Sequence, residues 1–321
     1  MRRKDPDVIL AQKQSHLIER TALALAIKPL EASRLLQIDR QQSLRLNPLR
    51  YTNRSQLLRQ LRELGWEGTP YPWLADGYTI NKGLLQIRDS KLVRTGQVYI
   101  QNSASWLPII ALDPKPREKI LDLCAAPGGK TAHIAAITNN QAELVVNDNS
   151  RPRLAKMKGN FDRLNVRPTQ IILYDASHIV QKMEGQQFDK ILLDAPCSGE
   201  GMMLLDRAKD FESWSVAHIR RLQHLQKRII TQAWQLLKPG GTLIYSTCTI
   251  APEENEVVIN HLLHKFEDAQ LQPLKVTLPN HITAVSSWND KPLSLEISKC
   301  LRLAPSLQTE AFFVAKLTKI I

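Results

Sequence analysis

Two of the four cysteines sit in stretches built alike. Residues 191–201 (ILLDAPCSGEG) run an apolar strand into Asp194-Ala195-Pro196-Cys197, and residues 243–254 (LIYSTCTIAPEE) run a second into Ser246-Thr247-Cys248-Thr249. Each puts a thiol just past a strand's carboxyl end, where open α/β sheets hold their ligands. A thiol so placed can form a covalent bond to a substrate; the plain alternative is a small buried side chain, the commonest fate of a free cysteine. A third stretch, residues 120–132 (ILDLCAAPGGKTA), reads as a strand, a tight turn and a helix N-terminus. Its glycines let backbone approach a ligand closely, and the first helical turn offers unpaired N–H donors to a carboxylate or phosphate. The loop has neither G-x-G-x-x-G nor G-x-x-x-x-G-K-[ST], which removes the dinucleotide and P-loop readings. Another nucleotide-like cofactor and a plain glycine-rich turn both stay open.

The elements that must carry these residues alternate. From residue 120 onward, strands at ILDLC, 143–147, 170–173, 190–193 and 242–245 are separated by helical stretches, and such alternation predicts a doubly wound α/β domain, a mostly parallel sheet with helices on both faces. A long helix over residues 215–237 carries Ile219, Leu222, Leu225, Ile229, Ala233 and Leu236 on one face and ends at Lys238-Pro239-Gly240-Gly241, an ordinary core helix. Asp148 follows the second strand and Asp175 the third. A carboxylate after the second strand is where such folds bind ribose hydroxyls, although any of these residues could simply cap the next helix.

The three motifs together, on successive strands and in this order, resemble the RNA cytosine-5 methyltransferase family of bacterial 16S rRNA methyltransferases and eukaryotic nucleolar homologues. The resemblance covers residues 44–316. It implies a class I S-adenosylmethionine-dependent fold in which Cys124, Ala125, Ala126, Pro127, Gly128, Gly129 and Lys130 line the cofactor. Asp148 would hold its ribose, Asp175 would lie by its adenine, Arg153 would approach from the next helix, and Asp194 would close the site. It also explains why two cysteines are needed. C5 of cytosine is a poor nucleophile, so a thiolate must first add at C6 and make C5 enamine-like; a carboxyl such as Asp194 stabilises the adduct at N3, and the thiolate must afterwards leave. By this resemblance Cys248 is the nucleophile, Cys197 assists release and Lys130 adds positive charge near the reacting groups. Cys300 falls in no motif. Two rivals are a DNA cytosine-C5 methyltransferase, in which the Pro-Cys cysteine attacks, and a ribosome-assembly factor that binds RNA without catalysis. The second cysteine argues against the first, and intact Cys248, Cys197 and Asp194 against the other. Departures from the family pattern are Asn102 in place of an acidic residue, the run Met202 to Arg207 in place of an aromatic and a basic pair, and Glu310-Ala311 before Phe312-Phe313, where a glycine is usual.

With 321 residues and 43% hydrophobic composition the chain can bury a sizeable core, and the length suggests two domains, or one large domain with an appendage; the division expected is an N-terminal RNA-facing module over residues 1–93 and a catalytic domain over 94–321. Net charge is +12, and residues 1–93 hold 16 Lys and Arg against 9 Asp and Glu, +7 of the total. Nucleic acid fits that charge, with an anionic membrane surface the competing partner. In this module residues 6–27 read as a helix, Pro29 opens another, and residues 43–50 form a strand with Leu44 and Leu46 on one face and Arg45 and Asn47 on the other. Ser55 is the expected N-cap of the next helix. Trp66, Tyr71, Trp73 and Tyr78 could stack on bases, but packing is the commoner use. Four irregularly spaced cysteines and eight histidines without ligand spacing predict a reducing compartment and no metal. No stretch reads as a signal peptide or a membrane span, so the expectation is a cytoplasmic monomer that uses S-adenosylmethionine and RNA.

Overall fold

The apolar runs between turn residues become strands within a few residues of where the sequence places them. A computed structural model describes residues 5–276 and 278–320. The chain forms two compact units, each discontinuous in sequence: a first of Met1–Arg40, Ala195–Thr231 and Tyr245–Leu317, and a second of Gln41–Asp194, Gln232–Ile244 and Thr318–Ile321.

In the second unit, strand Lys119–Asp122 lies between Glu143–Asp148 and Phe188–Asp194, parallel to both, and Gln170–Leu173 extends the sheet beyond Glu143–Asp148. Leu237–Thr247 stands on the other side of Phe188–Asp194. Leu121 is opposite both Val145 and Ile191. Ile120, Leu121, Val145, Val146, Ile191, Leu192 and Leu193 are almost fully buried, as in parallel strands covered on both faces. Numbered by chain position, the strands run 5-4-1-2-3. The order reverses between Lys119–Asp122 and Phe188–Asp194, the topological switch point, where such sheets hold their ligands in a crevice.

The second unit also holds a four-stranded antiparallel sheet in the order Pro70–Tyr71, Leu74–Thr79, Ser43–Leu46, Val98–Ile100. Leu44, Leu46, Leu57, Leu61, Trp66, Tyr78 and Ile87 form its core. Its last strand lies beyond residue 93, and residues 5–40 belong to the other unit. One local expectation, the Ser55 cap, is corrected. Both faces of residues 43–47 are covered, Arg45 and Asn47 being each only 2% exposed. Asn47 is buried by donating to the Gly96 and Leu164 carbonyls, both at 2.9 Å; Arg45 is covered outright, and burial lowers its guanidinium to about 10. The helix Arg54–Glu63 is capped by Asn53, whose Oδ1 accepts from the Gln56 N–H at 3.0 Å; Ser55 lies inside its first turn. The aromatics pack: Trp66 meets Tyr78 edge-on at 5.4 Å, and Tyr71 and Trp73 lie 5.3 and 5.8 Å from Trp106.

In the first unit, helix Pro6–Leu25 starts with Pro at its first position, where a missing N–H costs nothing, and stops at Ala26 in the left-handed region. Leu17, Leu25, Leu36, Phe211, Trp214, Ile219 and Ile250 make its core. The closing strand is Phe312–Lys319, antiparallel to Leu301–Leu303. Residues 268–299, which the sequence left without a reading, contain strand Ala269–Gln272 and a hairpin of Ser287–Trp288 with Lys291–Pro292.

Candidate active site

The crevice of the second unit is built by the loop after Lys119–Asp122. Gly128, at φ +96°, begins the turn into helix Gly129–Ile137. A Cβ there would stand 2.8 Å from the Phe161 ring and 3.0 Å from Met157, so glycine is required twice, for conformation and for space. The loop is tied down by Asp148, at 2% exposure. Asp148 Oδ2 accepts from the Ala126 N–H at 3.2 Å, Oδ1 from the Ser150 N–H at 3.1 Å, and Arg153 Nη2 stands 3.4 Å from Oδ2 while donating to the Ala126 carbonyl at 2.6 Å.

A cavity of about 210 Å³ opens here, lined by Tyr99, Gln101, Ser105, Asp122, Cys124, Ala125, Ala126, Pro127, Gly129, Lys130 and Asp194. It gathers most of the cofactor residues expected from the sequence. Gly128 instead starts the turn into the helix, Asp148 and Arg153 hold the loop at Ala126, and Asp175 caps the turn Ala176–His178, its Oδ1 accepting from the Ser177 N–H at 2.9 Å. Lys130 Nζ donates to Asp194 Oδ2 at 2.6 Å, which joins the two strand ends across the switch point. Burial, reinforced by the charges of Asp122, Asp148 and Asp194, pushes the Cys124 thiol well up, so it stays protonated and serves as lining.

Asp122 was not singled out by the sequence reading. It closes its strand, Oδ2 accepts from Thr131 Oγ1 at 2.6 Å, and Oδ1 is buried without a hydrogen-bond partner among the described residues. Burial, with Asp194 and Asp148 near it, lifts this carboxyl to about 7 against the opposing Thr131 bond and Lys130 charge. A buried acceptor with no partner is costly. A ligand bringing N–H or O–H donors into the cavity would satisfy it. The rule that singled out Asp148, a carboxylate at a strand end, would have found Asp122 too.

The thiol motifs meet in the first unit. Cys197 and Cys248 are half-buried and form no disulfide, and their Sγ atoms are 3.3 Å apart. The Ala195 N–H donates to the Ser246 carbonyl at 2.9 Å, and the Gly201 N–H to the Cys248 carbonyl, also at 2.9 Å. A side chain at Gly201 would run into the carbonyl oxygens of Ala311 and Cys248, which is the physical reason for the second glycine of Gly-Glu-Gly. Of the departures, Asn102 is an N-cap, accepting from the Ala104 N–H at 2.9 Å, a task an acidic residue performs equally well. Met203 and Leu204 are buried. Cys300 is fully buried with its thiol pushed up by burial, a structural side chain. Among the described residues no cluster of metal-ligating side chains occurs, and no helix is long and apolar enough to cross a membrane.

A reversed parallel sheet, a glycine-bearing loop running into a helix N-terminus and carboxylates at the strand ends define a class I S-adenosylmethionine-dependent methyltransferase fold. A solved structure of a methyltransferase homolog protein from Pyrococcus horikoshii has the same fold, with a TM-score of 0.76 and 33% identity over 95% of this chain and 99% of that one. The model of the 16S rRNA methyltransferase RsmB/F family matches residues 109–318, and the chain belongs to that family. It is 36% identical to a tRNA (cytosine(49)-C(5))-methyltransferase of Pyrococcus abyssi, over 86% of this chain and 88% of the relative. It is 35% identical to the ribosomal RNA small subunit methyltransferase F of Aeromonas salmonicida over 86% of this chain, and spans only 57% of that relative's length.

Proposed function

We propose that the protein transfers a methyl group to C5 of a cytosine in structured RNA, through a covalent bond between Cys248 and C6. The observation that carries this reading is the 3.3 Å separation of two thiols from motifs 51 residues apart. One thiol can attack and the other assist release without either loop moving.

In this reading the Cys248 thiolate adds to C6, the ring electrons move toward N3, and N3 takes a proton from the Asp194 carboxyl, which Lys130 holds in place. C5 becomes nucleophilic and accepts the methyl group. The Cys197 thiolate then takes the C5 proton, the C5–C6 double bond forms as the C6–S bond breaks, Cys248 returns as thiolate, and N3 gives its proton back to Asp194. S-adenosylmethionine, when bound, supplies the electrophilic methyl group. The loop from Cys124 to Lys130, with Asp122, would hold it in the cavity. Asp148 and Arg153 would set the loop's position and receive the ribose, with Asp175 toward the adenine. The cytosine must be unstacked, because its C6 face is inaccessible within a helix. We assign RNA contact to residues 1–93 on their charge excess, and a cytoplasmic location belongs to the same reading.

Bisulfite sequencing of total RNA tests the proposal. A cytosine protected in the parent strain should become convertible when the gene is deleted, and protection should return with the wild-type gene but not with Cys248→Ala. Comparing tRNA and rRNA in the same libraries assigns the substrate. A deletion strain with every protected cytosine intact would contradict the proposal.

A further inference from the structure

Behind the two thiols lies a polar network with one carboxylate at its centre. Glu254 Oε2 accepts from the Ser198 backbone N–H and from Gln226 Nε2, both at 2.9 Å. Glu254 Oε1 accepts from Thr249 Oγ1 at 3.2 Å and from Ser198 Oγ. Ser198 and Thr249 are the residues that immediately follow Cys197 and Cys248, and their hydroxyl oxygens are 2.8 Å apart. Gln226 Nε2 also donates to the carbonyl of Pro196 at 2.8 Å, so the residue before Cys197 is held by the same network. The Tyr245 hydroxyl donates to the Glu254 carbonyl at 2.5 Å, which fixes the centre to the strand that delivers Cys248.

Glu254, Gln226 and Thr249 are almost wholly buried, so water does not substitute for a lost partner. Four donors converge on one carboxylate, which matches its acceptor capacity; three come from the two cysteine loops and the fourth, Gln226, from helix Val216–Leu236. Each loop could be anchored separately by its own neighbours. A single group accepting from both instead fixes one loop relative to the other, and the separation of the thiols follows from that.

We propose that Glu254 is a positioning residue for the methyl-transfer reaction, holding the Cys197 and Cys248 thiols in register through Ser198 and Thr249. The inference rests on the thiol chemistry proposed above, but its geometry can be read without RNA.

The first readout is the disulfide equilibrium of the pure protein against oxidised and reduced glutathione, with peptide mapping to identify the Cys197–Cys248 bond. One oxidised glutathione accepts two electrons and becomes two reduced molecules, while the two thiols lose two protons and form one S–S bond. The equilibrium constant reports how closely the fold holds the pair. In Glu254→Ala, buried donors are left unsatisfied and the loops relax, so this constant should fall at least about tenfold. In Glu254→Gln the side-chain oxygen still accepts from Ser198 N–H and Gln226, and its amide donates to hydroxyls that rotate to accept. The constant should return to within about threefold of wild type. Thr249→Val, which cuts one bridge and leaves the carboxylate in place, should lie between, and it serves if the alanine variant fails to fold. The second readout is steady-state methylation: kcat should follow the same ranking while KM for RNA stays within about threefold, as for a group acting on the reacting residues and not on binding. A wild-type disulfide equilibrium in both Glu254→Ala and Thr249→Val would overturn the inference. So would a kcat loss in Glu254→Gln as large as in Glu254→Ala, which would make the charge, and not the register, the relevant property. A fall in the thiol equilibrium in a protein that methylates no RNA would retain the positioning role and reject the proposed function.

Discussion

Asp148 Oδ2 accepts from the Ala126 N–H of the cofactor loop and faces Arg153, while Oδ1 accepts from the Ser150 N–H, so its removal should loosen the cofactor loop at Ala126. Asp148→Ala is therefore expected to weaken S-adenosylmethionine binding by at least about tenfold, since buried donors lose a charged acceptor. Asp175→Ala, which removes the cap of a short turn together with one proposed contact to the adenine, should weaken binding less than Asp148→Ala does. Calorimetry on both variants checks the ranking, and equal affinities would contradict it. Residues were legible in the sequence where chemistry and local pattern coincide: Cys197, Cys248, Asp194 and the loop from Cys124 to Lys130 lie in motifs whose spacing is itself the signal. Asp122 ends a strand whose following loop carries the motif, and no spacing marks the residue itself. Glu254 lay inside a quoted motif, yet its role depends on Ser198 and Gln226, partners 56 and 28 residues away, and distance in sequence carries no such information.

At the scale of elements, the parallel strands were legible because burial on both faces leaves continuous apolar runs, and the observed strands Glu143–Asp148 and Gln170–Leu173 fall within one residue of the expected ones. Alternation was the weaker guide. Ser43–Leu46 alternates apolar and polar side chains in sequence yet is buried at every position, because tertiary packing and partners such as the Gly96 and Leu164 carbonyls outweigh local pattern. One element contact makes a direct test. The turn at Gly201 is pressed against the backbone of Cys248 and Ala311, and neither carbonyl can swing aside as a flexible side chain would. Gly201→Ala should destabilise the protein by about 1–3 kcal/mol, seen as a lower Tm. An unchanged Tm and unchanged methylation would mean that this contact is slack.

For the whole molecule, two solution properties follow from charge. Arg59 and Arg62 are exposed on helix Arg54–Glu63, in the segment holding most of the positive excess; if that surface meets RNA, replacing both with Ala should lower the slope of log K against log salt by about 1–2. An identical slope would move the RNA surface elsewhere. Stability should also depend on Asp122, whose folded carboxyl titrates near 7 because it is buried, against about 4 in the unfolded chain. Between those values the unfolded state loses its proton first and the folded state keeps it, so stability falls as pH rises from about 4 to 7 and levels off above. Asp122→Asn should flatten that part of the Tm profile, and an unaltered profile would place the proton on another group. The central claim is covalent, and its most direct measurement is denaturing electrophoresis of the protein mixed with substrate RNA and S-adenosylmethionine. Cys248→Ala should give neither methylation nor a protein–RNA band, because C5 is never activated. Cys197→Ala should accumulate a band that survives denaturation, because Cys248 adds and the methyl transfers but elimination stalls. The reverse pattern, with the band lost in Cys197→Ala and kept in Cys248→Ala, or no band in either with methylation intact in both, would contradict the account.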